Sequence, residues 1–178
     1  PILGDKLRLF TYPSGFEKLF TYRDYYVYNE HNECLASATT TWMLMDTASR
    51  KPARIPPSIV SVLTQQTPDI PHLDRCPGKM PVVTSTKKDS GRMVHWYDLD
   101  FNGHLNNVIY ARWMLEGLPE AVLNHRTITG FQIHYKAEAH LNDTLICETE
   151  TLSGNRFLHR LVRSADQRET AIALSEWS

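Results

Sequence analysis

The chain has 178 residues, with 19 Lys and Arg against 20 Asp and Glu and a formal charge of −1. It carries no dense basic run, so neither nucleic acid nor an anionic membrane surface is expected as its main partner. No apolar stretch is long enough to span a bilayer. The length allows one large domain or two small ones. No signal or transit peptide is visible, and an initial Pro1 fits either loss of an initiator Met or a fragment. Three scattered cysteines, Cys34, Cys76 and Cys147, favour a reducing, cytoplasmic setting over a disulfide framework.

In chain order, Leu7 to Thr11 predicts a short strand, and Tyr12-Pro13-Ser14-Gly15 a turn. Phe16 to Tyr28 reads as a strand with apolar residues in both phases, hence partly covered on both faces. Asn29 to Asn32 supplies a hairpin turn, and Cys34 to Met45 returns as a strand whose run of threonines suits extended backbone. Seven of the ten prolines then fall between Pro52 and Pro81. Such a density interrupts helices and central strands. Residues 50–83 therefore read as a connection, with a short helix over Ser58 to Gln66.

A second unit is expected from Thr84. Met93 to Tyr97 predicts a short strand, followed by the polar loop Asp98 to Asn107 and a helix over Leu105 to Leu118, closed by Gly117 and Pro119. The helix is apolar over more than a narrow stripe, which implies burial on several sides. Four strands follow: Thr129 to Ala137, Leu145 to Leu152, Phe157 to Ser164 and Thr170 to Trp177, with a tight hairpin at Ser153-Gly154-Asn155. An antiparallel sheet curled around one long helix is an α+β arrangement, distinct from a βαβ nucleotide-binding unit. The organisation expected is a partial unit over 1–49, a proline-rich linker over 50–83 and a complete unit over 84–178.

The loop joining strand to helix concentrates chemistry. Asp98, Asp100, Asn102, His104, Asn106 and Asn107 stand immediately before the apolar helix. A helix start offers unpaired N–H groups and a positive dipole end, so polar groups there can stabilise an oxyanion. The plainer alternative is that these residues only cap a turn.

The run Asp98-Leu99-Asp100-Phe101-Asn102-Gly103-His104-Leu105-Asn106-Asn107, followed by Tyr110 and Trp113, resembles the acyl-ACP thioesterase family. Thr11-Tyr12-Pro13, Arg23-Asp24 and the passage Trp42 to Pro56, with Arg50-Lys51-Pro52 and Arg54-Ile55-Pro56, are similar to the same family. The resemblance implies a hotdog fold, an antiparallel sheet wrapped around a central helix, with two such units in one chain. Here the segment before Thr84 looks like the last strands of a first unit, so an incomplete hotdog is expected to precede a complete one. The implied activity is hydrolysis of fatty acyl-ACP to free fatty acid and ACP. The implied partner is acyl carrier protein bearing a phosphopantetheine-linked acyl chain; a homodimer is left open.

By the same resemblance, Asp100, Asn102 and His104 fall on the family's proposed catalytic residues, and Tyr135-Lys136-Ala137-Glu138-Ala139 on the segment that carries an activating glutamate, Glu138. Plant members often have a cysteine after that glutamate. Here Ala139 stands there, so a Cys/His mechanism has no nucleophile at that place. The chemistry needs attack on a thioester carbonyl, with Asp100 or Glu138 as base, at a raised pKa if desolvated, or as a carboxylate nucleophile. Backbone N–H groups of Gly103, His104, Leu105 and Asn106 could polarise the carbonyl. Tyr110 and Trp113 are first of all core residues, with some contact to an acyl chain. Two other functions remain open at this point, an acyl-CoA thioesterase and a non-catalytic acyl-binding protein. Lys87-Lys88, Arg92, Arg112 and Arg126 could attract an acidic carrier, or simply be solvated surface. The remaining histidines show no metal spacing, and neither metal nor organic cofactor is expected.

Overall fold

A computed structural model describes residues 1–76, 78–84 and 87–178. The chain divides into two compact units, Pro1–Pro77 and Gly78–Ser178.

The first unit is an antiparallel sheet of β1 (Arg8–Glu17), β2 (Phe20–Tyr28) and β3 (Cys34–Met43), in that spatial order. The turn expected at Tyr12 to Gly15 lies inside β1 instead. Tyr12 stays paired with Asp24 and Pro13 with Arg23, and the register shifts between Pro13 and Gly15. Because β1 is an outer strand, the missing N–H of Pro13 is tolerated there. The chain reverses at Lys18-Leu19, with Lys18 at φ 55°. After β3 the chain forms a two-residue ribbon of β4 (Met45–Asp46) and β5 (Lys51–Pro52), then α1 (Pro57–Gln65).

A charged knot ties the proline-rich segment to this sheet. Asp24, fully buried on β2, accepts bonds from Ser14 Oγ at 2.8 Å and the Leu73 N–H at 3.0 Å. Arg75 Nη1 lies 3.5 Å from Asp24 and 2.9 Å from Ser14 Oγ, and its guanidinium covers the Tyr22 ring at 4.2 Å.

The second unit has the expected strand, helix and four-strand order. Its sheet runs β6 (Lys87–Lys88), β9 (Thr144–Thr151), β10 (Arg156–Arg163), β11 (Glu169–Trp177), β8 (Ile128–Tyr135), with β7 (Arg92–Met93) also on β9. All pairings are antiparallel. Gly154 at φ 69° and Asn155 at φ 61° are left-handed residues in the three-residue β9–β10 reversal, which the Leu152 N–H closes onto Arg156 O at 2.8 Å.

Three local expectations change. The strand expected over Met93 to Tyr97 ends at Met93, and Trp96–Asp98 forms a 3-10 turn held by Asp98 Oδ2 on the His95 N–H. The helix α2 spans Asn107–Leu115, shorter at both ends than expected, because Leu105 is held as extended chain by its N–H bond to Ala139 O. A further short helix, α3 (Glu120–His125), follows Pro119.

Tyr110, Trp113 and Met114, at i, i+3 and i+4, form the buried face of α2. They pack with Leu145 and Cys147 of β9, Leu161 of β10 and Ala171 and Ala173 of β11. The alanines allow the helix close to the sheet, and each large side chain buried there contributes roughly 1.5–3 kcal/mol. Among the described residues no helix is long and apolar enough to cross a membrane.

Candidate functional site

The polar loop is a small fastened turn. The Asp100 N–H donates to His104 O at 2.7 Å, the Gly103 N–H to Asp100 O at 3.0 Å and the Asn106 N–H to Asp98 O at 2.8 Å. Gly103 sits at φ 76°, where a Cβ is disfavoured. Asp100 Oδ1 accepts the N–H groups of Asn102 at 2.8 Å and His104 at 3.1 Å. Burial pushes the Asp100 carboxyl up, but those N–H groups and the nearby Asn102 and His104 side chains outweigh it, so its pKa lies below the usual carboxylate value. Asn106 closes the loop as the cap of α2, its Oδ1 accepting the Val108 N–H at 3.0 Å.

This loop runs beside the segment that follows β8. The Leu105 N–H bonds to Ala139 O at 2.8 Å, and His104 forms an antiparallel bridge with His140. In extended chain, alternate residues face opposite ways. Ala139 is therefore buried, while Glu138 and His140 stand on the other side. His104 Nε2 comes to 3.6 Å from Glu138 Oε2, with side chains 28% and 41% exposed, so the pair meets at the surface. The His104 and His140 rings stand edge to face at 5.0 Å. The segment is braced from behind by Arg163, whose Nη1 donates to Glu138 O at 3.2 Å and Asp143 Oδ2 at 3.3 Å.

The structure thus brings Asp100, His104 and Glu138 together, Asp100 through the backbone of His104. Asn102 and Gly103 lie exposed at the loop tip. Leu105, Tyr110 and Trp113 are buried in the core, covered by protein in this conformation. Burial pushes the Tyr110 hydroxyl up to about 12, and that hydroxyl donates to Ala137 O at 3.3 Å.

One expectation is overturned. The N–H groups of Gly103, His104, Leu105 and Asn106 are all taken by protein acceptors, so none is aimed at a substrate carbonyl. The helix-start donor that takes no acceptor among the described residues is the Asn107 N–H, one position further along. Several of the basic residues considered for carrier attraction are already paired: Lys88 with Glu148 at 2.8 Å, and both Arg92 and Arg112 with Glu116. Cys147 is buried, which pushes its thiol up to about 11 and makes a thiolate there unfavourable. His140 was missed by sequence reasoning. The Glu138-Ala139-His140 alternation, one small residue between two polar ones, was the signal for it. Two shallow cavities, of about 190 Å³ beside Phe131 and Leu174 and about 180 Å³ beside Tyr22 and Trp42, lie elsewhere.

Residues 83–178 match the family of the Acyl-ACP thioesterase C-terminal domain, and residues 1–63 that of the Acyl-ACP thioesterase N-terminal domain. Among curated relatives, an acyl-[acyl-carrier-protein] hydrolase, FATB3, from Cuphea viscosissima is 29% identical over 99% of this chain and 45% of its own length. A palmitoyl-acyl carrier protein thioesterase from Arabidopsis thaliana is 26% identical over 100% and 47%. The chain therefore spans under half the length of these relatives. Among solved structures, a Bacteroides thetaiotaomicron acyl-ACP thioesterase superposes with TM-score 0.86 at 22% identity, covering 98% of this chain and 69% of that one. The 12:0-ACP thioesterase of Umbellularia californica superposes at 0.87 and 23%, covering 100% and 70%. These two likenesses establish the hotdog fold.

Proposed function

Because the chain belongs to the acyl-ACP thioesterase family, we propose that it hydrolyses fatty acyl-ACP to free fatty acid and ACP, with Glu138 as the base. The observation that carries this reading is the meeting of His104 and Glu138 at 3.6 Å, from two segments far apart in sequence. Asp100 serves as the fastener of the loop, since its Oδ1 holds two N–H groups and its pKa is lowered, which makes it a poor proton acceptor. In this reading Glu138 takes a proton from water as the water oxygen attacks the thioester carbonyl. The oxyanion is stabilised at the start of α2 by the Asn107 N–H and by the Asn102 amide. As the carbonyl re-forms, the C–S bond breaks, and Glu138 returns the proton to the departing phosphopantetheine thiolate. His104 orients the Glu138 carboxylate. The partner is acyl-loaded carrier protein, and a homodimer is the assembly to test by sedimentation. The free, exposed thiols of Cys34 and Cys76 support a reducing, cytoplasmic setting.

The test is hydrolysis of matched acyl-ACP and acyl-CoA substrates across acyl lengths, with folding of each variant checked by circular dichroism. Glu138→Gln should lower kcat/KM by about 100-fold or more, as expected for a lost general base. Asp100→Asn, which keeps an acceptor at Oδ1, should lower it less. Unchanged turnover in folded Glu138→Gln removes the base from this scheme, and a strong preference for CoA removes the carrier.

A further inference from the structure

We infer that His104, Glu138 and His140 form a binding site for a late first-row divalent ion, Zn²⁺ above all, which competes with hydrolysis. One imidazole nitrogen from each histidine and one carboxylate oxygen all lie within 4.8 Å of one another. Zinc takes nitrogen at about 2.0–2.1 Å and carboxylate oxygen at about 2.0–2.2 Å, so tetrahedral ligand atoms sit roughly 3.3 Å apart. His104 Nε2 and Glu138 Oε2, at 3.6 Å, already approach that spacing. The other pairs, within 4.8 Å, would be drawn together on binding.

The backbones that carry the three ligands are pinned against each other. The Leu105 N–H to Ala139 O bond lies between them, and the His140 N–H is held by Asp143 Oδ2 at 2.9 Å. Arg163 donates to Glu138 O. A site whose ligand-bearing segments are already fixed loses little conformational entropy on binding. Two imidazoles with one carboxylate select zinc, cobalt or nickel over magnesium and calcium, which prefer all-oxygen shells. Three protein ligands leave a fourth position for water.

Bound metal would occupy the Glu138 oxygen and the His104 nitrogen that the proposed hydrolysis uses, so the inhibitory half of the inference rests on that reading. The binding half does not. His140 has no part in the proposed hydrolysis, which separates the two.

The experiment uses the full chain carrying Cys34→Ser and Cys76→Ser, so that exposed thiols do not compete for the ion. Calorimetry with Zn²⁺ and absorption spectra with Co²⁺ should give one ion per chain, and Mg²⁺ no binding. His140→Ala, and separately His140→Gln in case the first misfolds, should weaken Zn²⁺ binding at least about 10-fold and retain turnover without metal. Zn²⁺ should inhibit acyl-ACP hydrolysis by the parent and far less in either His140 variant. Equal Zn²⁺ affinity in parent and folded variants overturns the site. Inhibition that is indifferent to His140 overturns the competition. A parent that binds Zn²⁺ but never hydrolyses acyl-ACP leaves the site standing and removes the hydrolase reading.

Discussion

Asp100 and Glu138 are both carboxylates beside His104, yet their surroundings differ. Asp100 is bonded to two N–H groups of its own loop, which stabilise its charged form and cost it basicity. Glu138 projects from extended chain, reaching His104 from the opposite segment. A different residue carries the clearest pH signature. His159 is fully buried on β10, its Nε2 2.9 Å from Ser175 Oγ, and burial pushes its pKa down to about 4. An unfolded histidine titrates near ~6.5. Between those values the unfolded chain binds a proton that the folded chain refuses, so stability falls as pH is lowered through that window and is level in this group above it. The total is on the order of 3 kcal/mol. Urea titrations from pH 7 to pH 4 should show this slope in the parent and lose it in His159→Leu; an unchanged slope in the variant assigns it to other groups.

At the scale of elements, the loop from Asp98 to Asn106 and the knot around Asp24 use one device. Each fixes irregular backbone on an aspartate carboxylate: Asp100 holds two N–H groups of its own loop, and Asp24 holds the Leu73 N–H and the Ser14 hydroxyl. In the loop this sets the start of α2. In the first unit it secures Leu73 and Arg75 of the proline-rich segment against β1 and β2. Burial pushes the Asp24 carboxyl up, and the bonds from Leu73 and Ser14, the nearby Thr39 hydroxyl and the Arg75 charge more than offset it, leaving its pKa lowered. Asp24→Ala leaves the Leu73 N–H and the Ser14 hydroxyl without that acceptor and Arg75 without its counter-charge. The expected loss is about 2–4 kcal/mol, read as a shift in denaturant midpoint. A shift under about 0.5 kcal/mol would place the knot among the ion pairs of little worth.

At the scale of the whole molecule, the two units differ in how much apolar surface they bury. The second owns the core of α2 against β9, β10 and β11. In the first, Tyr12 and Pro13 are the buried apolar residues among those described, and β3 is mostly exposed. A three-stranded sheet with so little covered is marginal by itself. Residues 78–178 expressed alone should therefore melt cooperatively by calorimetry, whereas residues 1–77 alone should show no sharp transition. A featureless melt for 78–178 would mean that its core does not suffice.

The sequence by itself determined the strands of the second unit, the hairpin at Gly154-Asn155 and the switch from polar loop to apolar helix. Each is written in a period of two, in turn residues, or in a change of polarity over adjacent positions. It also carried the family, through the Asp98 to Asn107 run. It misplaced the first reversal because Pro13 is compatible with either a turn or an outer strand, and only pairing with Arg23 decides between them. The structure itself was needed to show that the N–H groups of Gly103 to Asn106 are occupied, that Asp100 Oδ1 holds two N–H groups of its own loop and that His140 stands beside His104 and Glu138. The bonds on Asp98 and Asp100 are local but need backbone angles that residue type does not fix, whereas the Leu105 N–H to Ala139 O bond and the approach of Glu138 and His140 to His104 join the loop to the segment after β8. Contacts between segments so far apart in sequence leave no mark in local periodicity.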